Sequence, residues 1–447
     1  MNRTENVVTA ITVRGYKSIC NELRMELRPL TILAGANSSG KSSIMQPVLL
    51  LKQTLENPFD PGVFRFDGPN VRFTSAGQLL SKVPGKAEGD SFKIGFEKGP
   101  KAQLVLTYKK VEGKGFDIES LEYSNGQGKG RITEQLTHEE ILQMVPEPLR
   151  RYSRGLQRRR GKAEQWQWIA DRERCFLAFA LTRKGAPSER IAFGHSDLLS
   201  PAGMISPEIE GIIHVPGFRG NPERTYTKTT SIGPNFPGTF ENYVASVVSQ
   251  WQTKDEDRLG QLGRWLEQLG LTWKVDAESV DDTRVELRVG RVLHGRRGGP
   301  QDMVNMADAG FGVSQILPVL VALLAARPGQ LVYLEEPELH LHPLAQRRLG
   351  GLLALAAKDK DLRVVVETHS ALLLREVQTL VATAQLPGDL VKLHWFKRSA
   401  DDGVTQLFTA DLDKNGAYGD WPEDFGEIEL NSEKDYLDAV EKGSVRV

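Results

Sequence analysis

The segment Gly-Ala-Asn-Ser-Ser-Gly-Lys-Ser at residues 35–42 constrains this chain more than any other feature. It follows a short apolar run, residues 30–34, and leads into residues 42–56, whose apolar side chains recur at helical spacing. Glycines let the backbone N–H groups of such a loop turn towards phosphate oxygens, and the following helix adds its positive N-terminal end. Strand, loop and helix in this order predict a phosphate-binding P-loop (Walker A) within an α/β domain.

The residues of this loop have separate predicted roles. Lys41 is predicted to reach the β- and γ-phosphates of ATP, and the Ser42 hydroxyl to bind Mg²⁺. A Gly/Ser turn without function is the alternative, and the strand before the loop and the helix after it argue against that alternative. The predicted nucleotide contacts within the loop are Gly35, Asn37, Ser38, Ser39, Gly40, Lys41, Ser42 and Ser43.

A second motif consists of the apolar residues 331–334 followed by two carboxylates, Glu335 and Glu336. A buried parallel strand would hold these carboxylates at the edge where α/β folds bind their ligands. Glu335 is predicted to bind Mg²⁺ through water, and Glu336 to orient and deprotonate the attacking water. Acidic pairs are common on protein surfaces, so the preceding strand and the P-loop are what favour this Walker B interpretation.

Two further segments could complete a nucleotide site. Residues 362–367 predict a third buried strand, and His369 follows it. A lone histidine is more often structural, but this one would lie at the same sheet edge as Glu336 and is predicted to contact the γ-phosphate. Residues 308–315 form a second glycine-rich segment that opens a helix. That segment is either a turn with an N-cap or a group of amides and one hydroxyl, Ser314, presented to a phosphate.

Charge and hydropathy exclude several function classes. Lys and Arg number 57 against 58 Asp and Glu, so bulk charge gives no argument for nucleic-acid binding. The two cysteines, Cys20 and Cys175, suggest neither a disulfide framework nor a metal site. Neither a signal-peptide pattern nor an apolar run long enough to span a bilayer is evident. We therefore expect a cytoplasmic protein that does not bind a membrane.

The α/β pattern is interrupted in the middle of the chain. Residues 1–57 and 301–447 alternate strand-like and helix-like segments, which predicts one ATPase domain with a mainly parallel sheet. Residues 58–300 contain short strand-like pieces, Gly/Pro turns and polar helices. We expect them to form a long mixed α+β insertion, an inserted arm with an accessory region.

Basic residues within this insertion have two open interpretations. Residues 150–162 carry seven Arg and Lys side chains, with Tyr152, Trp166 and Trp168 nearby. The cluster could bind a phosphate backbone, with the aromatic rings available to stack on bases, or form a solvated helix face. Another pair of arginines follows the β-rich residues 212–215, and each could reach the nucleotide or pin the insertion to the core. These two residues are Arg219 and Arg224.

The order of these motifs resembles that of the ABC-type ATPases of the SMC, RecF and OLD branch. The resemblance rests on the P-loop, the long insertion, the Gly/Ser segment, EEPELHLHP and ETHS, and on the opening Tyr-Lys-Ser at residues 16–18. It implies that Gly312 and Ser314 contact ATP bound to a second subunit, that residues 338–343 are the D-loop and that His369 is the switch histidine. It also implies a homodimer or a higher even-numbered oligomer. The signature segment departs from the LSGGQ of transporters.

Two more segments resemble small stand-alone prokaryotic ATPases such as the Septu ATPase. They are residues 214–224, which contain His-Val-Pro-Gly-Phe-Arg and Pro-Glu-Arg, and residues 421–425, Trp-Pro-Glu-Asp-Phe. Proteins of this kind are often encoded in anti-phage defence operons. The resemblance implies an ATP-hydrolysing switch that controls a partner effector, a nuclease or toxin encoded nearby. The alternative is a RecF-like DNA-repair ATPase that binds DNA through the insertion.

Overall fold

The computed structural model describes residues 7–85, 88–126, 128–159, 166–184, 186–192, 201–229, 235–292, 302–419, 434–438 and 440. The strands predicted at residues 30–34, 331–334 and 362–367 and the helix predicted at residues 42–56 are confirmed to within one residue. The strands are β1 (Val8–Arg14), β2 (Leu23–Glu26), β3 (Leu30–Gly35), β4 (Ser91–Lys98), β5 (Ala102–Val111), β6 (Gly115–Asn125), β7 (Gly128–Ile132), β8 (Trp166–Glu173), β9 (Phe176–Arg183), β10 (Ala186–Ala192), β11 (Ile213–Val215), β12 (Tyr226–Thr227), β13 (Val275–Ser279), β14 (Arg284–Gly290), β15 (Met303–Asn305), β16 (Leu331–Glu335), β17 (Arg363–Glu367), β18 (Val391–Arg398) and β19 (Thr405–Ala410).

Helices connect these strands, and the longest of them belong to the two ATPase segments. Within the described ranges, no helix combines the length and apolar character needed to cross a lipid bilayer. The helices are α1 (Lys41–Leu55), α2 (His138–Met144), α3 (Glu147–Arg159), α4 (Ser206–Glu210), α5 (Val244–Lys254), α6 (Glu256–Leu269), α7 (Phe311–Ala325), α8 (Pro343–Asp359) and α9 (Ala371–Ala382).

A six-stranded sheet in the order β11-β16-β17-β3-β18-β19 forms the centre of the molecule. The first five strands are parallel, and β19 pairs antiparallel with β18. The P-loop strand β3 and the Walker B strand β16 flank β17, the strand that precedes His369. Their carboxyl ends therefore meet at one edge of the sheet, as the sequence predicts.

Both faces of the central sheet are buried, which explains why its strands read as continuous apolar runs. Side chains alternate between the faces. Val332 and Leu334 belong to the core cluster that holds α5 to α9, whereas Tyr333 lies between them on the opposite face. That opposite face packs against α1 and the antiparallel strands of the insertion. Tyr333, Glu335 and Glu367 consequently point towards the α1 side of the sheet.

The described residues of the first part of the insertion, 58–210, form a packed layer rather than a separate arm. The antiparallel sheet β2-β1-β4-β5-β6-β7 joins its strands to β1 and β2 of the N-terminal segment. A second antiparallel sheet, β10-β9-β8, adds Trp168 and Phe176 to the same core as α1. The apolar alternation of these strands explains the packing, since each strand has one face to bury.

The predicted boundary at residue 300 does not coincide with a break in packing. Strand β11 pairs in parallel with β16 at the edge of the ATPase sheet, although it lies within the predicted insertion. Helices α5 and α6 and the small sheet of β12 to β15 share one hydrophobic core with α7 and α8. The apolar run of β11 is long enough for only three paired residues, and their register partners on β16 lie 119 residues further along the chain.

Candidate functional site

The P-loop connects β3 to α1 through backbone conformations that favour glycine. Gly35 and Gly40 have φ values of 142° and 104°. A Cβ at Gly35 would collide with the carbonyl of Phe396, and one at Gly40 with the side chain of Thr405. Strands β18 and β19, which carry Phe396 and Thr405, thus pack so closely against the loop that only glycine fits. Ala36, Asn37 and Ser38 lie exposed at the tip.

Lys41 turns back over the loop. Its ammonium donates to the carbonyls of Gly35 at 2.8 Å and Ala36 at 3.0 Å, and its Nζ lies 3.1 Å from His369 Nε2. Burial lowers the pKa of Lys41, while Glu367 and Glu336 act in the opposite direction. The predicted cation therefore lies at the loop, held by partners that a phosphate could replace.

His369 and Glu336 meet at the sheet edge, as predicted. His369 Nε2 lies 3.4 Å from Glu336 Oε1. Glu336 has a φ of 43°, a strained conformation for a residue with a Cβ, and its N–H donates to the carbonyl of Glu367 at 2.9 Å. Strain of this kind concentrates at functional sites, because the surrounding structure has to impose it.

Glu335 and Glu367 are register partners at the ends of β16 and β17, but their contacts differ. Glu335 Oε2 accepts the Gly217 N–H at 3.0 Å, and Oε1 lies 3.3 Å from His214 Nε2. Burial raises the pKa of Glu335, but the contacts of His214 and Gly217 outweigh it and leave the pKa below its usual value. The predicted metal role of Glu335 stays a prediction.

Glu367, the last residue of β17, is the carboxylate that contacts the P-loop helix α1. No role was predicted for it from the sequence. Its Oε2 accepts the Ser42 hydroxyl at 2.8 Å, and its Oε1 accepts the hydroxyl of Tyr333. Burial, together with the neighbouring Glu335, raises the pKa of Glu367 to about 7. The signal that could have found it is its position, since it is the last residue of an apolar strand that enters the same sheet edge.

Glu338 is a second residue whose role the sequence did not reveal. One of its oxygens accepts the Thr368 hydroxyl at 2.6 Å and the His369 N–H at 2.8 Å. The other oxygen is buried without a hydrogen-bond partner among the described residues. Glu338 therefore connects the predicted D-loop to the backbone that carries His369.

Arg219 connects the 216–219 loop to the backbone of the two Walker B residues by hydrogen bonds. Its guanidinium donates to the carbonyls of Pro216 at 2.9 Å, Glu335 at 3.2 Å and Glu336 at 3.1 Å. Burial lowers the pKa of Arg219, and nearby carboxylates oppose that shift. The sequence left two interpretations of Arg219 open, a contact with the nucleotide or a link between the insertion and the core. These contacts favour the link.

Arg224 also pins one segment to another. It forms a bidentate pair with Asp308 at 2.7 and 3.1 Å, which joins the loop after β11 to the start of the predicted signature segment. The pair is well exposed and contributes at most about 1 kcal/mol to stability. Its effect is to hold the two segments in register.

The signature residues lie on the first turn of α7. Gly310 is the N-cap of this helix, and the Ser314 hydroxyl donates to the Phe311 carbonyl at 2.9 Å. Gly312 faces the D-loop, where a Cβ would lie 3.7 Å from the His340 carbonyl. A contact between Gly312 or Ser314 and a nucleotide stays a prediction.

The P-loop forms one wall of a cavity of about 730 Å³. The volume is within the range of nucleotide-sized ligand sites. Glu336 and Glu367 form part of the opposite wall, and Lys17 and Ser18 of the opening Tyr-Lys-Ser segment line it as well. The loop residues in the wall are Asn37, Ser38, Ser39, Gly40, Lys41, Ser42 and Ser43.

This cavity fits a nucleoside triphosphate with Mg²⁺. Lys41 and the N-terminal amides of α1 are donors suited to phosphate oxygens. Ser39 Oγ is buried and has no partner among the described residues, so a ligand could satisfy it. Ser42 and the neighbouring carboxylates are oxygen ligands of the kind Mg²⁺ prefers, and Mg²⁺ needs few of them because it keeps water and phosphate ligands. Within the described residues, no cluster of three or more His, Cys, Asp or Glu could hold a metal by itself.

The basic cluster on α3 is partly neutralised. Arg150, Arg151 and Arg154 all lie within 3.7 Å of Glu147. The side chains of Arg158 and Arg159, and residues 160–162, lie outside the described residues. Residues 421–425 also lie outside them. Nucleic-acid contact through this cluster stays a prediction.

Comparison with known proteins adds a family match over part of the chain. Residues 216–375 match the family described as "AAA domain, putative AbiEii toxin, Type IV TA system". No curated protein matches the chain. The matched segment contains Glu336, His369 and Ser314 but not the P-loop.

Several solved structures resemble the chain at low identity. One is an SMC head bound to the C-winged helix domain of ScpA, with 12% identity, a TM-score of 0.46 and coverage of 91% of this chain and 98% of that one. Another is the SMC head domain from Thermotoga maritima, with 11% identity, a TM-score of 0.37 and coverage of 90% and 98%. A third is the Smc head domain with a coiled coil and joint from Pyrococcus yayanosii, with 9% identity, a TM-score of 0.43 and coverage of 92% and 98%.

The fold follows from the structure itself. A P-loop after β3, carboxylates after β16 and a histidine after the intervening β17 all meet at one edge of a mainly parallel sheet. The antiparallel sheet of the insertion covers the α1 side of that sheet. The chain has the ABC-type P-loop ATPase fold, and in its motifs it resembles the SMC, RecF and OLD branch of those ATPases.

Proposed function

We propose that the chain binds and hydrolyses ATP and works as a molecular switch. The observation that carries this proposal is the meeting of Lys41, His369 and Glu336 at the sheet edge, with 3.1 and 3.4 Å separating neighbouring side chains. The three residues come from three separate motifs. A structural ion pair would need two of them, whereas phosphoryl transfer needs a cation, a base and a γ-phosphate contact.

Each residue has a defined part in this chemistry. The loop amides and Lys41 would bind the triphosphate, and the ammonium would exchange its carbonyl partners for phosphate oxygens. Glu336 would orient the attacking water and take its proton, and His369 would donate to the γ-phosphate. Ser42 and a strand-end carboxylate would hold Mg²⁺, which supplies positive charge against the phosphate oxygens.

Hydrolysis is proposed to require two chains. Ser314 is not among the residues that line the P-loop cavity, and it lines a second cavity beside Arg219. We propose that Ser314 acts on a nucleotide bound to another copy. The neighbouring surface carries exposed apolar side chains, with Phe218 90% and Phe311 55% exposed. Such side chains suit a face that a second chain covers. We infer a homodimer or a higher even-numbered oligomer, arranged head to head.

The biological setting we propose is an anti-phage defence system in which the ATP state controls a partner effector, a nuclease or toxin encoded nearby. Support comes from the matched family, whose description names a toxin–antitoxin system. The contacts of Glu147 with the α3 arginines leave less free positive charge for DNA than the sequence indicated.

Phosphate release from ATP by the purified chain tests the enzymatic part. We expect turnover that requires Mg²⁺ and stops on chelation, and a Glu336→Gln chain that binds ATP without turnover. A wild-type chain that binds no ATP would contradict the proposal.

Phage plating on cells that express the native locus tests the setting. We expect resistance with the wild-type gene and its neighbours, and loss of resistance with Glu336→Gln at equal protein level. Equal plating with and without the locus across a broad phage panel would argue against a defence role while leaving the ATPase intact.

A further inference from the structure

Two carboxylates compete for the metal position of this site. Glu335 and Glu367 end adjacent parallel strands as register partners, so they leave the sheet at the same edge and on the same side. Position in the motif favours Glu335. The contacts of the two side chains differ enough to decide between them.

Both oxygens of Glu335 already have partners from β11 and the loop that follows it. Oε2 accepts the Gly217 N–H at 3.0 Å, and Oε1 lies 3.3 Å from His214 Nε2. The His214 ring stacks on Tyr333 with centroids 5.3 Å apart, which fixes the histidine in place. Turning Glu335 towards Ser42 would leave the buried His214 and the Gly217 N–H without this acceptor, which would cost about 1–3 kcal/mol per group.

Glu367 has the opposite arrangement. Its Oε2 accepts the Ser42 hydroxyl at 2.8 Å, while Tyr333 donates to Oε1 from the strand behind it. The residue is only 2% exposed, yet it forms part of the wall of the P-loop cavity together with Glu336. Its carboxylate is therefore held at the one hydroxyl that a P-loop offers to Mg²⁺.

The local charge supports a divalent cation at this position. Glu336, Glu338 and Glu367 all lie close enough to act on Lys41, the cation of the P-loop. A carboxylate as buried as Glu367 is costly when ionised unless a cation or hydrogen bonds compensate it. Mg²⁺ beside Ser42 would supply that compensation.

We propose that Glu367, not Glu335, is the carboxylate that joins Ser42 in holding the nucleotide's Mg²⁺, and that Glu335 is a positioning residue for the Gly217 loop. The inference rests on the proposed function and deepens it. Tyr333 orients the Glu367 carboxylate through Oε1 and leaves Oε2 directed at Ser42.

Binding of Mn²⁺, a paramagnetic substitute for Mg²⁺, tests this assignment without turnover. The full chain is loaded with a non-hydrolysable ATP analogue, and free Mn²⁺ is counted by electron paramagnetic resonance. We expect Glu367→Gln to weaken Mn²⁺ binding at least tenfold, as Ser42→Ala should. The matched variant Glu335→Gln should change it less than threefold. Analogue affinity in EDTA should not fall in any of the three variants, since no metal contact is then left to lose.

Thermal melting of each chain shows whether a variant is folded. A second variant keeps the test valid if Glu367→Gln does not fold. Glu367→Asp keeps the charge but withdraws it from Ser42, and we expect at least threefold weaker Mn²⁺ binding. Wild-type Mn²⁺ affinity in the folded Glu367 variants would overturn the metal assignment but not the proposed function. A tenfold loss of Mn²⁺ affinity in Glu335→Gln would do the same. A wild-type chain that binds no analogue, either with Mn²⁺ or in EDTA, would overturn the proposed function together with it.

Discussion

The Lys41 ammonium lies 3.1 Å from Nε2 of His369. The contact joins the first turn of α1 to the segment after β17, which are separated by 328 residues in the chain. It brings the predicted P-loop cation to the predicted switch histidine. Both side chains come from the carboxyl-end edge of the sheet, where α/β folds bind their ligands.

Lys41→Ala should reduce ATP affinity by about 100-fold, because it removes a charge-assisted contact to the phosphates. Titration with a fluorescent ATP analogue measures the loss. Lys109→Ala, on the insertion strand β5 and 50% exposed, is the matched control and should bind normally. Equal affinity of the Lys41→Ala and wild-type chains would disprove the P-loop assignment.

Glu336→Gln should keep ATP bound and lose turnover by a factor of about 10²–10⁴, since glutamine cannot accept the proton of water. Single-turnover phosphate release together with analogue binding separates the two effects. Wild-type turnover in this variant would move the base to Glu338 or Glu335.

Ser314→Arg and Lys41→Ala should each be inactive alone and recover activity when mixed. A mixed dimer has one intact composite site, so an equimolar mixture should reach about a quarter of wild-type turnover if dimers form at random. Turnover of the wild type should also rise with protein concentration. If mixed dimers form, as shown by differently tagged chains, and activity does not return, each chain hydrolyses ATP alone.

Arg219→Met should slow turnover more than it weakens ATP binding. Arg219 holds the carbonyls of Glu335 and Glu336, so its loss should release the strained backbone that positions Glu336. We expect a fall in kcat of about tenfold with KM changed less than threefold, and a loss of unfolding free energy of about 2 kcal/mol. Arg219→Lys should recover only part of both, because lysine cannot span the two carbonyls. A raised KM with unchanged kcat would instead place Arg219 on the nucleotide.

His394 should make the fold sensitive to acid. Its Nε2 donates to the Glu26 carbonyl at 2.8 Å, and burial lowers its pKa to about 4. The unfolded chain, with a pKa near its usual value of about 6.5, binds the proton more tightly than the folded chain. Stability from this group is therefore complete above about pH 6.5 and falls as the pH drops towards 4, by about 2 kcal/mol at pH 5.

His394→Gln separates this effect from general acid sensitivity. Glutamine can still donate to Glu26 but does not titrate, so the drop in melting temperature between pH 7 and pH 5 should shrink in the variant. An unchanged drop would show that His394 is not responsible for it.

The sequence by itself determined the local structure of the site. The helix after the P-loop, the Walker B strand and the strand before His369 all follow from apolar runs and their spacing, because each run is buried on both faces of a parallel sheet. Lys41, Glu336 and His369 come together because they follow three such strands.

Only the tertiary structure decided which side chains those residues meet. Glu335 and Glu367 look alike in the sequence, each the last residue of a strand, and the preferred metal carboxylate depends on what lies beside each one. Glu335 contacts His214, from the edge strand β11, and accepts the Gly217 N–H. Glu367 accepts hydrogen bonds from the hydroxyls of Ser42 and Tyr333. These contacts join segments up to 325 residues apart, and spacing along the chain carries no information about such partners.

The boundaries of the insertion were also beyond the sequence. Strand β11 is three residues long, too short for its apolar pattern to indicate which sheet it enters. It joins the ATPase sheet because the exposed edge of β16 offers it a parallel partner. That pairing then brings Gly217 and Arg219 to the carboxylates, so a segment of the insertion shapes the candidate site.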